Sequence, residues 1–126
     1  MKKEIILTNN APSPIGPYNQ AIKINNVLYL SGQIPLTLKM ELIQNNLKAE
    51  VTQVMKNLEA ILNAANMSFK NVVKSTIFLD NMDNFKTVNE IYGEYFEKEI
   101  APSRETVAVK TLPKNVRVEI SMIAHE

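Results

Sequence analysis

Cysteine is absent from this chain of 126 residues, and histidine occurs once, at His125 beside the last residue. Without cysteine the chain has no disulfide, no thiolate metal site and no cysteine nucleophile. A single histidine in that position is typical of a solvated tail rather than a metal ligand or a catalytic group. No phosphate-binding glycine loop, metal-ligand cluster or Ser-His-Asp set is present either. The sequence therefore predicts a protein that uses no metal and no cofactor.

Long apolar runs and an excess of charge are missing as well. The formal net charge is +1, so no strong field attracts nucleic acid or an anionic membrane. Only three consecutive apolar residues follow the first lysines, too few for a signal peptide, and no run approaches the roughly 20 residues of a membrane helix. We therefore expect a cytoplasmic protein without a membrane segment or a nucleic-acid partner.

Glycine and proline are scarce, yet several of them share one short stretch. The chain has three glycines and six prolines, and Pro12, Pro14, Gly16 and Pro17 lie together directly before Tyr18. Proline fixes the backbone and glycine permits turns that other residues resist. We expect a stiff loop that aims Tyr18, with Gly16 supplying a turn that a side chain would obstruct.

The apolar pattern predicts six strands and two helices, in the order β-β-β-α-β-α-β-β. Strands are indicated at residues 3–8, 19–25, 27–32, 71–79, 104–112 and 115–124. Apolar spacings of three and four predict a helix of about five turns from Leu47 to Ala65, closed by Asn66. A second helix is expected to start at Asp83 and to be stopped by Pro102. Both helices should pack on one face of a mixed or antiparallel sheet, as a single α+β domain over residues 1–126.

The second face of that sheet has a mixed character. Along the last strand, Val118 and Ile120 alternate with Arg117 and Glu119. A subunit partner that covers this face and an ordinary solvated face explain the mixture equally well.

Two charged residues are candidates for chemistry. Arg104 opens a strand after a proline turn, where a guanidinium could bind a carboxylate through two parallel hydrogen bonds; a surface arginine is the simpler interpretation. If the last two strands pair in a suitable register, Glu119 shares a face with Arg104 and Thr106. The positive charge would then keep Glu119 ionised and ready to orient a water. The simpler interpretation is a solvated glutamate paired with Arg117 or Lys110.

Four uncharged residues are weaker candidates. Asn89 places an amide along the apolar edge of the second helix, where a structural hydrogen bond to a loop is the simpler interpretation. Tyr18 follows the stiff loop, Ser31 offers a hydroxyl, and Gly32 permits close approach to the main chain. Each of these signals is also explained by a turn or a core contact.

Five blocks of the sequence, read in order, resemble the signature blocks of the RidA (YjgF) family. They are "APSPIGPYNQAI", "LYLSGQIP", "VVKSTIFLDNMDNFKTVNEIYGEYF", "APSRETVAV" and "LPKNVRVEISMIA". The match covers almost the whole chain. The resemblance implies a chorismate-mutase-like α+β fold, a six-stranded and mostly antiparallel sheet with two helices on one face. It also implies a homotrimer with three clefts between subunits, which would account for the mixed second face.

The family's best-known members hydrolyse 2-imino acids to 2-keto acids and ammonia without a cofactor. The resemblance therefore implies a deaminase for 2-iminobutanoate and 2-iminopropanoate. In that role Arg104 binds the carboxylate, Glu119 positions the water, and Tyr18 assists proton transfer. The implied pocket lining is Ser31, Gly32, Asn89 and Thr106.

The sequence departs from the family's common pattern in three places. Thr106 stands where many bacterial members have cysteine, which alters the shape of the pocket. Glu105 follows Arg104 where a small residue is frequent; strand alternation should point it away from the pocket. The segment "LTLKMELI" lacks a usual glycine turn and is one residue shorter.

Two other functions compete with the deaminase. One is a non-catalytic regulatory trimer that uses the same arginine cleft to bind keto acids or other small carboxylates. The presence of both Arg104 and Glu119 favours the enzyme, since a carboxylate sensor has less need of the glutamate. The other is a ribonuclease or translation inhibitor; the near-neutral charge and the lack of a catalytic histidine pair argue against it.

Overall fold

The computed structural model describes residues 2–126 of the chain. Six strands are present: β1 (Lys3–Ile6), β2 (Ala21–Ile24), β3 (Val27–Gln33), β4 (Val72–Leu79), β5 (Ser103–Ala108) and β6 (Val118–His125). The two α-helices are α1 (Leu47–Ala64) and α2 (Phe85–Gly93). The predicted order of elements and the α+β fold are confirmed.

The six strands form one sheet in the order β1-β2-β3-β6-β4-β5. Neighbouring strands are antiparallel except β4 and β5, which are parallel. The last two strands, β5 and β6, therefore do not pair, and the pairing that would put Glu119 on the face of Arg104 is not formed. The physical reason is the crossover through α2, which returns the chain parallel to β4 and places β5 at the edge. β6 must then pair on the other side of β4.

Helix α1 has the predicted extent and the predicted ending. Its apolar stripe is buried, and Val51, Val54 and Leu58 are fully so. The side chain of Asn46 caps the helix by accepting a hydrogen bond from the backbone N–H of Ala49 at 2.9 Å. Asn66 follows the helix in the left-handed conformation with φ of 59°.

Helix α2 is shorter than predicted at both ends. Asn81, not Asp83, caps a preceding turn of 3-10 helix, and α2 itself begins at Phe85. It ends at Gly93 rather than near Pro102, because glycine is a poor helix former. No helix within residues 2–126 is long and apolar enough to cross a membrane.

Both helices cover the same face of the sheet, the helix face, and leave the outer face open. Strand alternation turns Val118 and Ile120 into the core, where both are fully buried. The outer face carries a cross-strand row that includes Ile5 and Tyr29, each 48% exposed. Apolar side chains thus remain open to solvent on the side that has no helix.

The segment after β3, which lacks the glycine usual in the family, makes its turn with Met40. Leu36 and Leu42 pair across the turn as an isolated bridge. Met40 lies inside it with φ of 63°, and its backbone N–H donates to the Thr37 carbonyl at 2.9 Å. Methionine therefore occupies a left-handed conformation that glycine adopts without strain.

Replacing Met40 by glycine should stabilise the protein. Relief of the left-handed strain outweighs the extra freedom that glycine gives the unfolded chain, so the free energy of unfolding should rise by about 0.5–1 kcal/mol. Urea denaturation measures the change. Lys39→Gly, one residue earlier and without a positive φ, is the control and should lower stability. A Met40→Gly protein no more stable than the wild type would contradict this account of the turn.

Candidate functional site

The predicted site residues form two separate groups in one chain. The first, which we call the arginine half-site, contains Arg104, Thr106 and Asn89. The second, the glutamate half-site, contains Tyr18, Ser31, Gly32 and Glu119. Each group is assembled by different elements and has its own electrostatic character.

Arg104 lies on the helix face, over two aromatic rings of α2. Its cross-strand partner in β4 is the buried Ser75. The guanidinium carbon is 5.8 Å from the centre of the Phe85 ring and 5.1 Å from that of Tyr92. No carboxylate within residues 2–126 forms an ion pair with it. Arg104 is thus a partly buried cation that has aromatic neighbours and no acidic partner.

Tyr92 is itself fixed in place. It is 5% exposed, and its hydroxyl donates a hydrogen bond of 2.8 Å to Oγ of Ser75. Burial raises the pKa of Tyr92 above its usual value, although the hydrogen bond and the charge of Arg104 act in the opposite direction. The phenol is therefore neutral near pH 7 and does not serve as a counter-ion.

Thr106 and Asn89 complete the arginine half-site. Thr106 follows Arg104 by two residues and so lies on the same face of β5. Its hydroxyl oxygen is buried, and no partner for it exists within residues 2–126. Asn89 is partly buried and follows Phe85 by one helical turn, three residues before Tyr92. An unsatisfied buried hydroxyl costs free energy, and a ligand that accepts its hydrogen bond would remove that cost.

A β-bulge builds the centre of the glutamate half-site. The register between β3 and β6 shifts between Leu30 and Gln33, which sets Ser31 and Gly32 out of the regular ladder. Gly32 is in contact with Glu119: a Cβ at Gly32 would lie 3.0 Å from both Cδ and Oε2 of that side chain. Here the absence of a side chain is what makes room for the carboxylate.

Glu119 is a partly buried carboxyl group that forms no ion pair within residues 2–126. Burial raises its pKa above the usual range for glutamate. The expectation that Arg104 keeps it ionised is wrong within one chain, because register places Glu119 level with Phe78 on the outer face. The alternative partner Arg117 is also excluded, since it forms its ion pair with the buried Glu50.

Tyr18 reaches the same region from the proline-rich loop. It is 46% exposed, and it lines a small hollow together with Gly32. Its hydroxyl accepts a hydrogen bond of 3.2 Å from the backbone N–H of Ile15. The role expected of Gly16 is wrong: its φ is not positive, and a Cβ there would make only ordinary contacts of 3.5 Å with the Tyr18 ring.

Gln20, which is not among the site residues predicted from the sequence, anchors this loop. It is 1% exposed, and its amide nitrogen donates to the carbonyls of Thr8, Ala11 and Pro12 at 3.0, 3.3 and 2.9 Å. Its carbonyl oxygen accepts from the N–H of Thr8 at 2.7 Å. The buried amide of Gln20 therefore satisfies backbone groups on both sides of the turn between Thr8 and Ala11. A glutamine close to a cluster of prolines, whose loop offers unpaired carbonyls, is the signal that could have revealed it.

Glu105 does not compete for Arg104. It points to the outer face, as alternation predicted, and its carboxylate accepts hydrogen bonds of 2.5 Å from Lys74 and from Thr76. The hydrogen bond from Lys74 is the main reason that the pKa of Glu105 lies below its usual value. The acid beside the arginine is thus already paired.

The two half-sites of one chain cannot act on the same small molecule. At ordinary strand spacing, β5 lies about 14 Å from β3, which carries Ser31 and Gly32, and about 10 Å from β6, which carries Glu119. Arg104 also lies on the helix face and Glu119 on the outer face. Within residues 2–126, no group of three or more histidines and acids is arranged to hold a metal ion.

The fold and these half-sites define a class of small α+β proteins whose single six-stranded sheet carries two helices on one face. Residues 8–126 match the family described as Endoribonuclease L-PSP, and the chain belongs to this family, which is also called YjgF/RidA. The resemblance found in the five sequence blocks is thereby confirmed.

Similar proteins come from archaea and bacteria. A RutC family protein of Pyrococcus horikoshii is 47% identical over 125 residues, 98% of each chain. The crystal structure of a Rid family protein of unknown function from Yersinia pestis is 46% identical with a TM-score of 0.96, covering 99% of this chain and 100% of that one. The structure of E. coli TdcF with bound serine is 35% identical with a TM-score of 0.91, covering 98% of each chain.

The contacts of Gly32 and Gly16 predict different effects for their alanine variants. Gly32→Ala should lower the free energy of unfolding by about 1–2 kcal/mol, because the new methyl group overlaps the partly buried carboxyl group. Gly16→Ala, the matched control, should leave stability unchanged or raise it slightly. Urea denaturation of both variants tests this. Equal stability of the two variants would show that Glu119 moves aside without cost.

Proposed function

We propose that this protein hydrolyses 2-imino acids, such as 2-iminobutanoate and 2-iminopropanoate, to 2-keto acids and ammonia. The reaction adds water to a C=N bond next to a carboxylate. An iminium carbon is already electrophilic. The reaction therefore requires an oriented substrate, a positioned water and proton transfer, and it does not require a cofactor.

The observation that carries this proposal is the unpaired guanidinium of Arg104. A partly buried arginine is normally matched by an acid, as Arg117 is by Glu50. Arg104 is held instead by aromatic rings, which take up none of the charge-assisted hydrogen bonds that it could make. A substrate carboxylate is the group that complements it, in a bidentate arrangement.

In the proposal, Glu119 orients the attacking water and accepts its proton. Its raised pKa makes the ionised carboxylate a stronger base than an ordinary glutamate. As the water oxygen bonds to the imine carbon, the C=N electron pair moves to nitrogen and Glu119 accepts a proton. That proton then passes to the nitrogen. The C–N bond then breaks while the C=O bond forms, Glu119 takes up the hydroxyl proton and passes it to the departing ammonia, and the products are the keto acid and an ammonium ion.

The remaining residues have supporting roles in the proposal. Ser31 and Gly32 form the wall of the bulge next to Glu119, where the main chain is accessible. Thr106 offers the buried hydroxyl that still lacks a partner, and Asn89 lies beside the aromatic residues of α2. Tyr18 is exposed over the hollow that contains Gly32, and the proposal assigns it to proton transfer.

The separation of the half-sites leads us to propose that the working cleft lies between copies of the chain in a homotrimer. One copy would supply Arg104, Thr106 and Asn89, and its neighbour the glutamate half-site. A head-to-tail contact of this kind closes into a ring and uses each half-site once. The apolar side chains left open on the outer face, among them Ile5 and Tyr29, support a covered face.

A second candidate is a regulatory trimer that binds small carboxylates in the same cleft without turnover. The observation that favours it is the structure of the relative TdcF with bound serine. Serine, like a 2-imino acid, carries a carboxylate on the carbon that bears its nitrogen. Both candidates need Arg104, whereas hydrolysis alone needs Glu119. Substitution at Glu119 therefore separates them.

The first test is the rate of keto-acid release from freshly generated 2-iminobutanoate. Arg104→Ala should raise KM about tenfold or more, because the bidentate contact to the carboxylate is lost. Glu119→Gln should lower kcat by about 10²–10⁴-fold, since the amide cannot accept the proton of the water. Glu105→Gln, an acid that lies outside the proposed cleft, should change either constant less than about twofold.

Absence of acceleration over buffer by the wild-type protein would overturn the hydrolase. If the wild type then still bound 2-ketobutyrate and Arg104→Ala did not, the regulatory candidate would take its place.

Mixing two inactive variants tests whether the cleft is shared between copies. Arg104→Ala and Glu119→Gln chains, unfolded and refolded together in equal amounts, should regain about a quarter of the wild-type rate. In a ring, one cleft in four then receives an intact arginine half-site and an intact glutamate half-site. Each variant refolded alone is the control. No recovery in a mixture that assembles normally would place both half-sites of each cleft in one chain.

A further inference from the structure

We propose that Phe85 and Tyr92 form an aromatic seat that orients the guanidinium of Arg104 and thereby selects a planar carboxylate as its ligand. The effect on substrate rests on the proposed function; the seat itself is a property of the single chain. Phe85 and Tyr92 are positioning residues, because they act through Arg104.

The seat has a fixed geometry. Both rings come from α2, and the guanidinium carbon lies within 6 Å of both ring centres, at 5.8 and 5.1 Å. The backbone of Arg104 is held in β5 opposite Ser75. Ser75 accepts the hydrogen bond from the Tyr92 hydroxyl at 2.8 Å. Ser75 therefore lies opposite the backbone of Arg104 and also holds the Tyr92 ring that lies under the Arg104 side chain.

Aromatic neighbours, unlike an acidic partner, leave the N–H groups of a guanidinium free to bind a ligand. An aspartate or glutamate partner would occupy the N–H groups of a guanidinium, as Glu50 does for Nε and Nη2 of Arg117. Ring faces attract the positive charge and accept no conventional hydrogen bond in exchange. Arg104 is thus restrained and still able to donate two parallel hydrogen bonds.

The consequence is selectivity for the shape of the anion. A guanidinium whose plane is fixed offers its N–H pair along one direction, which a flat carboxylate matches and a tetrahedral phosphonate matches less well. Lysine has no such plane, so Arg104→Lys should lose this preference although it keeps the charge.

The experiment compares Phe85→Leu and Tyr92→Leu, which remove a ring and keep an apolar side chain, with the conservative variant Tyr92→Phe. The NMR signal of the Arg104 Nε–H group reports on the rings directly. Binding of 2-ketobutyrate, measured by calorimetry, reports on the carboxylate, and kinetics with 2-iminobutanoate gives KM and kcat. Each leucine variant should shift the Nε–H signal, weaken 2-ketobutyrate binding about fivefold and raise KM more than it lowers kcat. Tyr92→Phe keeps the ring but loses its hydrogen bond to Ser75, so it should weaken 2-ketobutyrate binding less than Tyr92→Leu does.

The same leucine substitutions in an Arg104→Ala background decide whether the rings act through the arginine. If they do, removing a ring has no further effect on binding there. An equal loss of affinity with and without Arg104 would overturn the seat and make the rings merely structural. Unchanged binding in both leucine variants would overturn it as well. A wild type that binds 2-ketobutyrate but hydrolyses no imine contradicts the proposed reaction and not the seat.

Discussion

The position of β4 between β5 and β6 is the constraint on which the site depends. The parallel crossover through α2 places β5 at the edge of the sheet, and antiparallel pairing with β6 fills the other side of β4. Because side chains alternate along every strand, this arrangement turns Arg104 toward the helices and Glu119 away from them. A single sheet thus presents its two charged candidates on opposite faces, with β4 between their strands.

Each half of the site is held by buried polar contacts that cost free energy if they are broken. On one side the Tyr92–Ser75 hydrogen bond fixes a ring beneath Arg104. On the other side the Gln20 amide holds the proline-rich loop that carries Tyr18. Neither contact involves a charged residue of the proposed chemistry, so Arg104 and Glu119 both remain free for a ligand.

The electrostatics of the two halves fit the proposed reaction. A cation without an acidic partner attracts an anion, and a partly buried carboxyl group with a raised pKa accepts protons more readily. In the proposed trimer, a second copy against the outer face would bring its Arg104 to Glu119 and cover the exposed apolar residues. One event would then complete the cleft and remove apolar surface from water.

Much of the fold follows from local patterns in the sequence. Apolar spacing predicts α1, Asn66 predicts its left-handed end, and alternation correctly turns Glu105 away from Arg104, because these features depend only on neighbours along the chain. The sequence by itself could not determine which strand lies beside β5, where β3 bulges to admit Glu119 against Gly32, or which rings lie under Arg104. Those are decided by contacts between residues far apart in the chain, and only the tertiary structure brings such residues together.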